Sequence, residues 1–286
     1  DHMMMGENLF MMIDSSSDLN RIHSLRKRLW EKGYLYFKGF YQKEKLSYAV
    51  KEVVKELKAL DVIEDLACYE NAKCISLKQM DLLSLPANRA SFDLVNNSKS
   101  ILFQNSTVNE MYHLLNILKS EKLFEIFSKI LDSPVSLFSQ KWLKAMRADD
   151  FAGIHVDRFL RGKDYKNAYT VWTPLHDIPL EKGALVLCEK SHLFDGDVGD
   201  YRQNDRRVEK GCDWYSTSPL SLSARYSGKW VTANFQAGDI VIFGLDTLRC
   251  STVNTTDEYR LSCETRFQPI NCEIDFASSL KSMVEA

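Results

Sequence analysis

The chain has 286 residues and a formal net charge of -2, with 45% of residues hydrophobic and 27% charged. That balance belongs to a globular protein and gives no basic surface for nucleic acid or anionic lipid. No apolar run approaches the roughly 18 residues of a membrane span. Asp1 to Met5 carry no signal-peptide pattern and read as a cloning remnant ahead of a native methionine. The seven cysteines (Cys68, Cys74, Cys188, Cys212, Cys250, Cys263 and Cys272) are odd in number, irregularly spaced and without a C-x-x-C pair. They are expected as buried thiols in a reducing cytoplasm, not as a disulfide framework or zinc knuckle.

In chain order, Ser15 to Asp18 offer helix caps, and Leu19, Ile22, Leu25, Leu29 and Trp30 recur at helical spacing up to Gly33. Tyr34 to Phe37 read as a strand. A second helix is expected over 42–60, with Leu46, Ala49, Val53, Val54 and Leu57 on one face. Residues 68–105 read as loop with short elements. Helical periodicity resumes from Val108 to Leu131, with a break near Ser120, and stops at Ser133-Pro134. From there short β-rich runs follow one another: 135–138, 141–146, 168–173, 184–188, 230–235, 239–243 and 261–267. Regularly spaced short strands predict a sandwich or barrel. One polar stretch, 195–229, reads as a loop without clear structure; it carries Arg202, Arg206, Arg207, Lys210 and Trp214. With no Pro/Gly/Ser linker between the halves, the whole chain reads as one domain. Its N-terminal layer, about 1–133, is helical, its β core runs over about 134–270, and 271–286 form a tail.

The chemistry concentrates at His155-Val156-Asp157. Alternate residues of a strand share a face, so His-x-Asp aims an imidazole and a carboxylate at one point, two members of the facial triad of non-heme iron oxygenases. Alone, the tripeptide reads more readily as a histidine hydrogen-bonded to a nearby aspartate at a strand end. Its context is more specific. Tyr169 to Leu175 and Asp177 to Leu185 follow, then Ser191-His192, then Gly238 to Phe243, Thr247 to Asn254 and Arg260-Leu261-Ser262.

Taken in that order, these blocks resemble the phytanoyl-CoA dioxygenase family of Fe(II)- and 2-oxoglutarate-dependent oxygenases, well over about 134–270 and more loosely before it. The resemblance implies a mainly β fold with flanking helices, built on a double-stranded β-helix, or cupin-like jelly roll. It implies that His155 and Asp157 bind iron. Arg260 matches the arginine that pairs with the far carboxylate of 2-oxoglutarate, a job suited to a planar, two-pronged donor. Ser262 would add a hydroxyl on the same strand face. Trp172 matches a tryptophan near the cosubstrate, although an aromatic residue on a core strand serves packing equally well. His176 reads as solvated and His192 as structural.

The pattern breaks at one position. Arg249 stands where the family has its distal iron-binding histidine. A guanidinium has no lone pair to give a metal. Set about 5 Å from Fe(II), it would repel the ion by roughly 7 kcal/mol at an effective dielectric near 20. Three readings stay open: a metal-poor pseudoenzyme, an iron site of reduced affinity on His155 and Asp157, or a substitution in an otherwise ordinary oxygenase. The functional expectation is therefore an iron- and 2-oxoglutarate-dependent oxygenase of a small molecule with a compromised metal site, and the cationic stretch points to an anionic substrate. The alternative is an inactive jelly roll that binds 2-oxoglutarate or another anion through Arg249 and Arg260.

Overall fold

The computed structural model describes residues 3–60, 62–63, 92–94, 100–157, 167–203 and 214–270. Its strands are β1 (Leu9–Met11), β2 (Tyr34–Phe37), β3 (Phe92–Leu94), β4 (Ile101–Phe103), β5 (Val135–Leu137), β6 (Trp142–Met146), β7 (Tyr169–Pro174), β8 (Leu185–Glu189), β9 (Lys229–Thr232), β10 (Ile240–Gly244), β11 (Arg249–Ser251) and β12 (Arg260–Pro269). Its helices are α1 (Ile22–Lys32), α2 (Lys43–Ala59), α3 (Asn105–Glu110), α4 (Tyr112–Leu118), α5 (Glu121–Leu131), α6 (Asp197–Gln203) and α7 (Pro219–Tyr226).

The strands form two facing sheets. The larger has the order β2-β10-β7-β12-β6-β4-β3, with β5 also on β12; the smaller has the order β1-β9-β8-β11. All pairings are antiparallel except β1 with β9. This is the jelly roll with flanking helices that the sequence predicted.

The strand period divides the molecule into layers. On β12, Leu261, Cys263 and Phe267 point outward into a core shared with α1, α2, α4 and α5. There Phe127 of α5 stacks on Phe267 with ring centroids 4.5 Å apart. The alternate residues Arg260, Ser262, Glu264 and Arg266 face the interior between the sheets. That interior is split. Beneath β2, β10 and β7 it is apolar, with Tyr34, Tyr36, Trp172, Val241 and Phe243 packed against Leu185, Leu187, Val231 and Phe235 of the opposite wall. Beneath β12 and β6 it is polar, and β11 closes it from the other side. A third apolar cluster covers the outside of the smaller sheet, where Trp230, Val186, Cys188 and Cys250 meet Val198 and Leu222.

Several expectations need correction. The stretch 195–229 is not structureless: its described parts include α6 and α7. Pro219 opens α7, and the Ser218 hydroxyl accepts from the Ser221 N–H at 3.4 Å. Residues 204–213, with Arg206, Arg207 and Lys210, lie outside the described residues, as do Cys68, Cys74, Cys212, Cys272 and most of 68–105. Ser16 to Asp18 form a 3-10 turn and α1 starts only at Ile22, but Gly33 closes it in the left-handed conformation (φ 85°) as read. The helical run from Val108 breaks at Met111 as well as at Ser120. Strand β1 was not foreseen. Cys188, Cys250 and Cys263 are buried free thiols. Among the described residues no helix is long and apolar enough to cross a membrane.

Candidate active site

The site is built where the segment after β6 returns alongside β11. The His155 N–H donates to the Arg249 carbonyl at 2.9 Å, and the Arg249 N–H donates to the His155 carbonyl at 2.8 Å. Residues 155 and 249 are therefore directly opposed across a two-stranded ladder. The Asp157 N–H donates to the Leu245 carbonyl at 3.0 Å, which keeps the segment beside β11. His155, Asp157 and the position of Arg249 thus share one corner of the polar interior.

What fills that corner is the Arg249 guanidinium. Its Nε donates to Asp157 Oδ1 at 2.6 Å, and its two terminal nitrogens grip Glu264 of β12 at 2.6 and 3.0 Å. The other Asp157 oxygen, Oδ2, accepts from the Thr170 hydroxyl at 2.6 Å and lies 3.4 Å from the Arg266 guanidinium. Arg266 itself stacks 3.7 Å from the centre of the Trp142 ring. Two arginines and two carboxylates form a closed, buried ion-pair cluster. Burial alone would push the Asp157 carboxyl up, but Arg249 and Arg266 outweigh it and hold the group well below the usual carboxylate range. Burial likewise opposes the Arg249 charge, and Asp157 and Glu264 more than restore it. Among the described residues no three His, Cys, Asp or Glu side chains are grouped to hold a metal ion.

His155 stands beside this cluster. Its Nδ1 lies 2.8 Å from the Gly153 carbonyl, which can only accept, so Nδ1 carries the proton and Nε2 keeps its lone pair. Burial, aided by Arg249, lowers the imidazole pKa to about 4.

The other end of the polar interior holds Arg260, which is 4% exposed. One terminal nitrogen donates to the Ser262 hydroxyl at 2.6 Å, the other sits 3.7 Å from the Met146 sulfur, and the buried Nε has no hydrogen-bond partner. Burial lowers its pKa to about 10, an effect that nearby Glu264 opposes and Arg249 reinforces. Gly183 (φ 73°) makes room here, since a Cβ would come within 2.6 Å of the Met146 sulfur and 3.8 Å of Arg260 Nε. Lys144 of β6 faces Ser262 across the ladder.

The remaining candidates separate. Trp172 is buried in the apolar half, 4.8 Å from Phe235 between ring centroids, and pairs with Glu264 in the ladder. His176 is not solvated as expected: its Nε2 accepts the Leu261 N–H at 2.8 Å, and burial holds its pKa well below the usual value. His192 contacts the Trp30 carbonyl at 3.0 Å, away from the corner. Arg202 of the cationic stretch donates to the Phe194 carbonyl at 2.8 Å and also to the Ser191 carbonyl. Glu264, Arg266, Thr170 and Lys144 were missed. The period-2 pattern that paired Arg260 with Ser262 also runs through Glu264 and Arg266, and the same alternation on β6 would have picked out Lys144.

Residues 30–262 match the phytanoyl-CoA dioxygenase (PhyH) family. The chain belongs to the phytanoyl-CoA dioxygenase family. Solved structures with the same fold include the epimerase SnoN in complex with Fe3+, alpha ketoglutarate and nogalamycin RO (TM-score 0.59, 19% identity, covering 87% of this chain and 84% of that one). EctD from S. alaskensis with bound Fe gives a TM-score of 0.61 at 12% identity, over 88% of this chain and 78% of its own. The alpha ketoglutarate dependent carbocyclase SnoK from nogalamycin biosynthesis gives 0.57 at 15%, over 86% and 83%. No curated protein matches at the level of sequence. Family membership supports an oxygenase-type function, and iron with 2-oxoglutarate is the cofactor set of this family.

Proposed function

We propose that this chain carries the pocket of an iron- and 2-oxoglutarate-dependent oxygenase of small molecules, and that Arg249 has closed its metal corner. As it stands, the protein would bind 2-oxoglutarate or a similar dicarboxylate without metal. The observation that carries this reading is the saturation of Asp157 by Arg249, Arg266 and Thr170, with Arg249 clamped in turn by Glu264. A carboxylate so engaged, beside a guanidinium opposite His155, does not fit iron. The 2-oxoglutarate end does fit. Arg260 is buried, rests on a hydroxyl and a thioether, and has an unpaired Nε. Such a charge calls for a carboxylate. Arg260 and Ser262 would hold the ligand. Calorimetry tests this: 2-oxoglutarate should bind in the presence of a chelator as well as with added Fe(II). Strict dependence on Fe(II) would overturn the reading.

A second reading, an active oxygenase with weakened iron affinity, is favoured by His155. A ligating histidine typically donates its other ring N–H to a carbonyl, as Nδ1 does to Gly153. Iron content and succinate release separate the two. With the corner closed, the purified chain holds no stoichiometric iron and forms no succinate, and Arg249→His takes up iron. Stoichiometric iron in the unaltered chain would establish the second reading.

A further inference from the structure

The polar interior contains an amine that neither reading uses. Lys144 lies directly across the β6–β12 ladder from Ser262, one position along the inner face from the pair formed by Met146 and Arg260. Directly paired residues of neighbouring strands point to the same side, so the Lys144 chain enters the pocket beside the Arg260 anchor. It is partly exposed there, and its ammonium makes no hydrogen bond or ion pair with any described residue. The two carboxylates that act on it electrostatically are committed elsewhere. Both oxygens of Glu264 are bound by Arg249, and Asp150 accepts from the Ser100 hydroxyl and the Phe151 N–H. The neighbouring charges that remain are like charges, Arg260 and Arg249.

We propose that Lys144 captures the carbonyl of a 2-oxo acid docked on Arg260 as a reversible imine. This rests on the reading of Arg260 as a metal-independent carboxylate anchor. An amine becomes a carbonyl nucleophile when desolvation and an adjacent cation favour its neutral form. Lys144 has both: burial and then Arg260 bring its pKa down to about 8. The nitrogen lone pair adds to the ligand's C2, forming a C–N bond as the carbonyl π electrons move to oxygen. The carbinolamine then loses that oxygen with both amine hydrogens as water, leaving C=N. Nothing is oxidised or reduced.

The test is reductive trapping. The chelator-treated protein is incubated with 2-oxoglutarate and cyanoborohydride, then analysed by intact mass and peptide mapping. One reduced adduct per chain on Lys144 is expected. Lys144→Arg and Lys144→Met should each abolish it, and excess glutarate, which has the carboxylates but no ketone, should suppress it. Absence of the adduct while calorimetry still shows metal-free 2-oxoglutarate binding would overturn the imine and leave the binding reading intact. Adducts spread over other lysines and unchanged by either substitution would also overturn it. Absence of both adduct and metal-free binding would overturn the reading it rests on.

Discussion

At the scale of single residues, the character of the pocket is decided by how charges are partnered. Arg249 is not a lone cation intruding on a metal site. It is the centre of a cluster that satisfies Asp157 and Glu264 together. Removing one member of such a buried set leaves its partner uncompensated, so the cluster resists piecemeal change. Arg249→His would recreate an imidazole opposite His155 but would also release Glu264 into the same corner. Lys144 is the counter-example, a half-buried cation without a partner among the described residues, and it should cost stability. Arg249 of β11, Arg260 and Glu264 of β12 and Asp150 of the loop after β6 are the charged groups around it. Its folded pKa of about 8 lies below the ordinary lysine value of 10.5, so the unfolded chain binds the proton more tightly. The penalty is complete below pH 8 and disappears as pH rises from about 8 to 10.5. Lys144→Met should therefore stabilise the protein by about 1–3 kcal/mol at pH 7, and the gain should shrink in denaturation curves taken at rising pH between those values. A gain independent of pH would mean that the amine is not held in this state.

At the scale of elements, β12 ties the helical layer to the pocket. Its outward residues anchor the helical layer and its inward residues furnish the pocket, so a defect on one face is felt on the other. Phe267 is the outward contact that can be tested most directly, through its stacked partner Phe127 on α5. Phe127→Ala removes a fully buried aromatic ring and should cost about 3–5 kcal/mol. Chemical denaturation should show one cooperative transition at lower denaturant, with helix signal and 2-oxoglutarate binding lost together. Loss of helix signal with the pocket still binding ligand would show that the layers are independent. The same two-faced strand explains what could be read beforehand. From Pro134 onward the period-2 alternation is strong, and the strands through Phe267 lie close to where it placed them. Arg260 and Ser262 are legible because spacing fixes them to one face of β12, and His155 and Asp157 because the same spacing holds in the extended segment that bridges to β11.

At the scale of the whole molecule, what escaped the sequence depends on contacts between distant segments. The opposition of His155 and Arg249 is a ladder between separate strands, and the capture of Arg249 by Glu264 crosses from one sheet to the other. No local pattern encodes either. Helices α6 and α7 are too short to announce themselves by propensity and are held by Val198 and Leu222 on the smaller sheet. Strand β1 has three residues, too few for alternation to be seen, and exists because β9 offers it an edge.

That edge has a consequence for the order of assembly. Leu9 pairs with Trp230 and Met11 with Thr232, so the smaller sheet is complete only when two segments far apart in the chain have met. Pairings of such long sequence separation slow folding. Arg249 and Arg266 reach Asp157 only once β11 and β12 have docked, so the corner and the charge cluster that fills it form together.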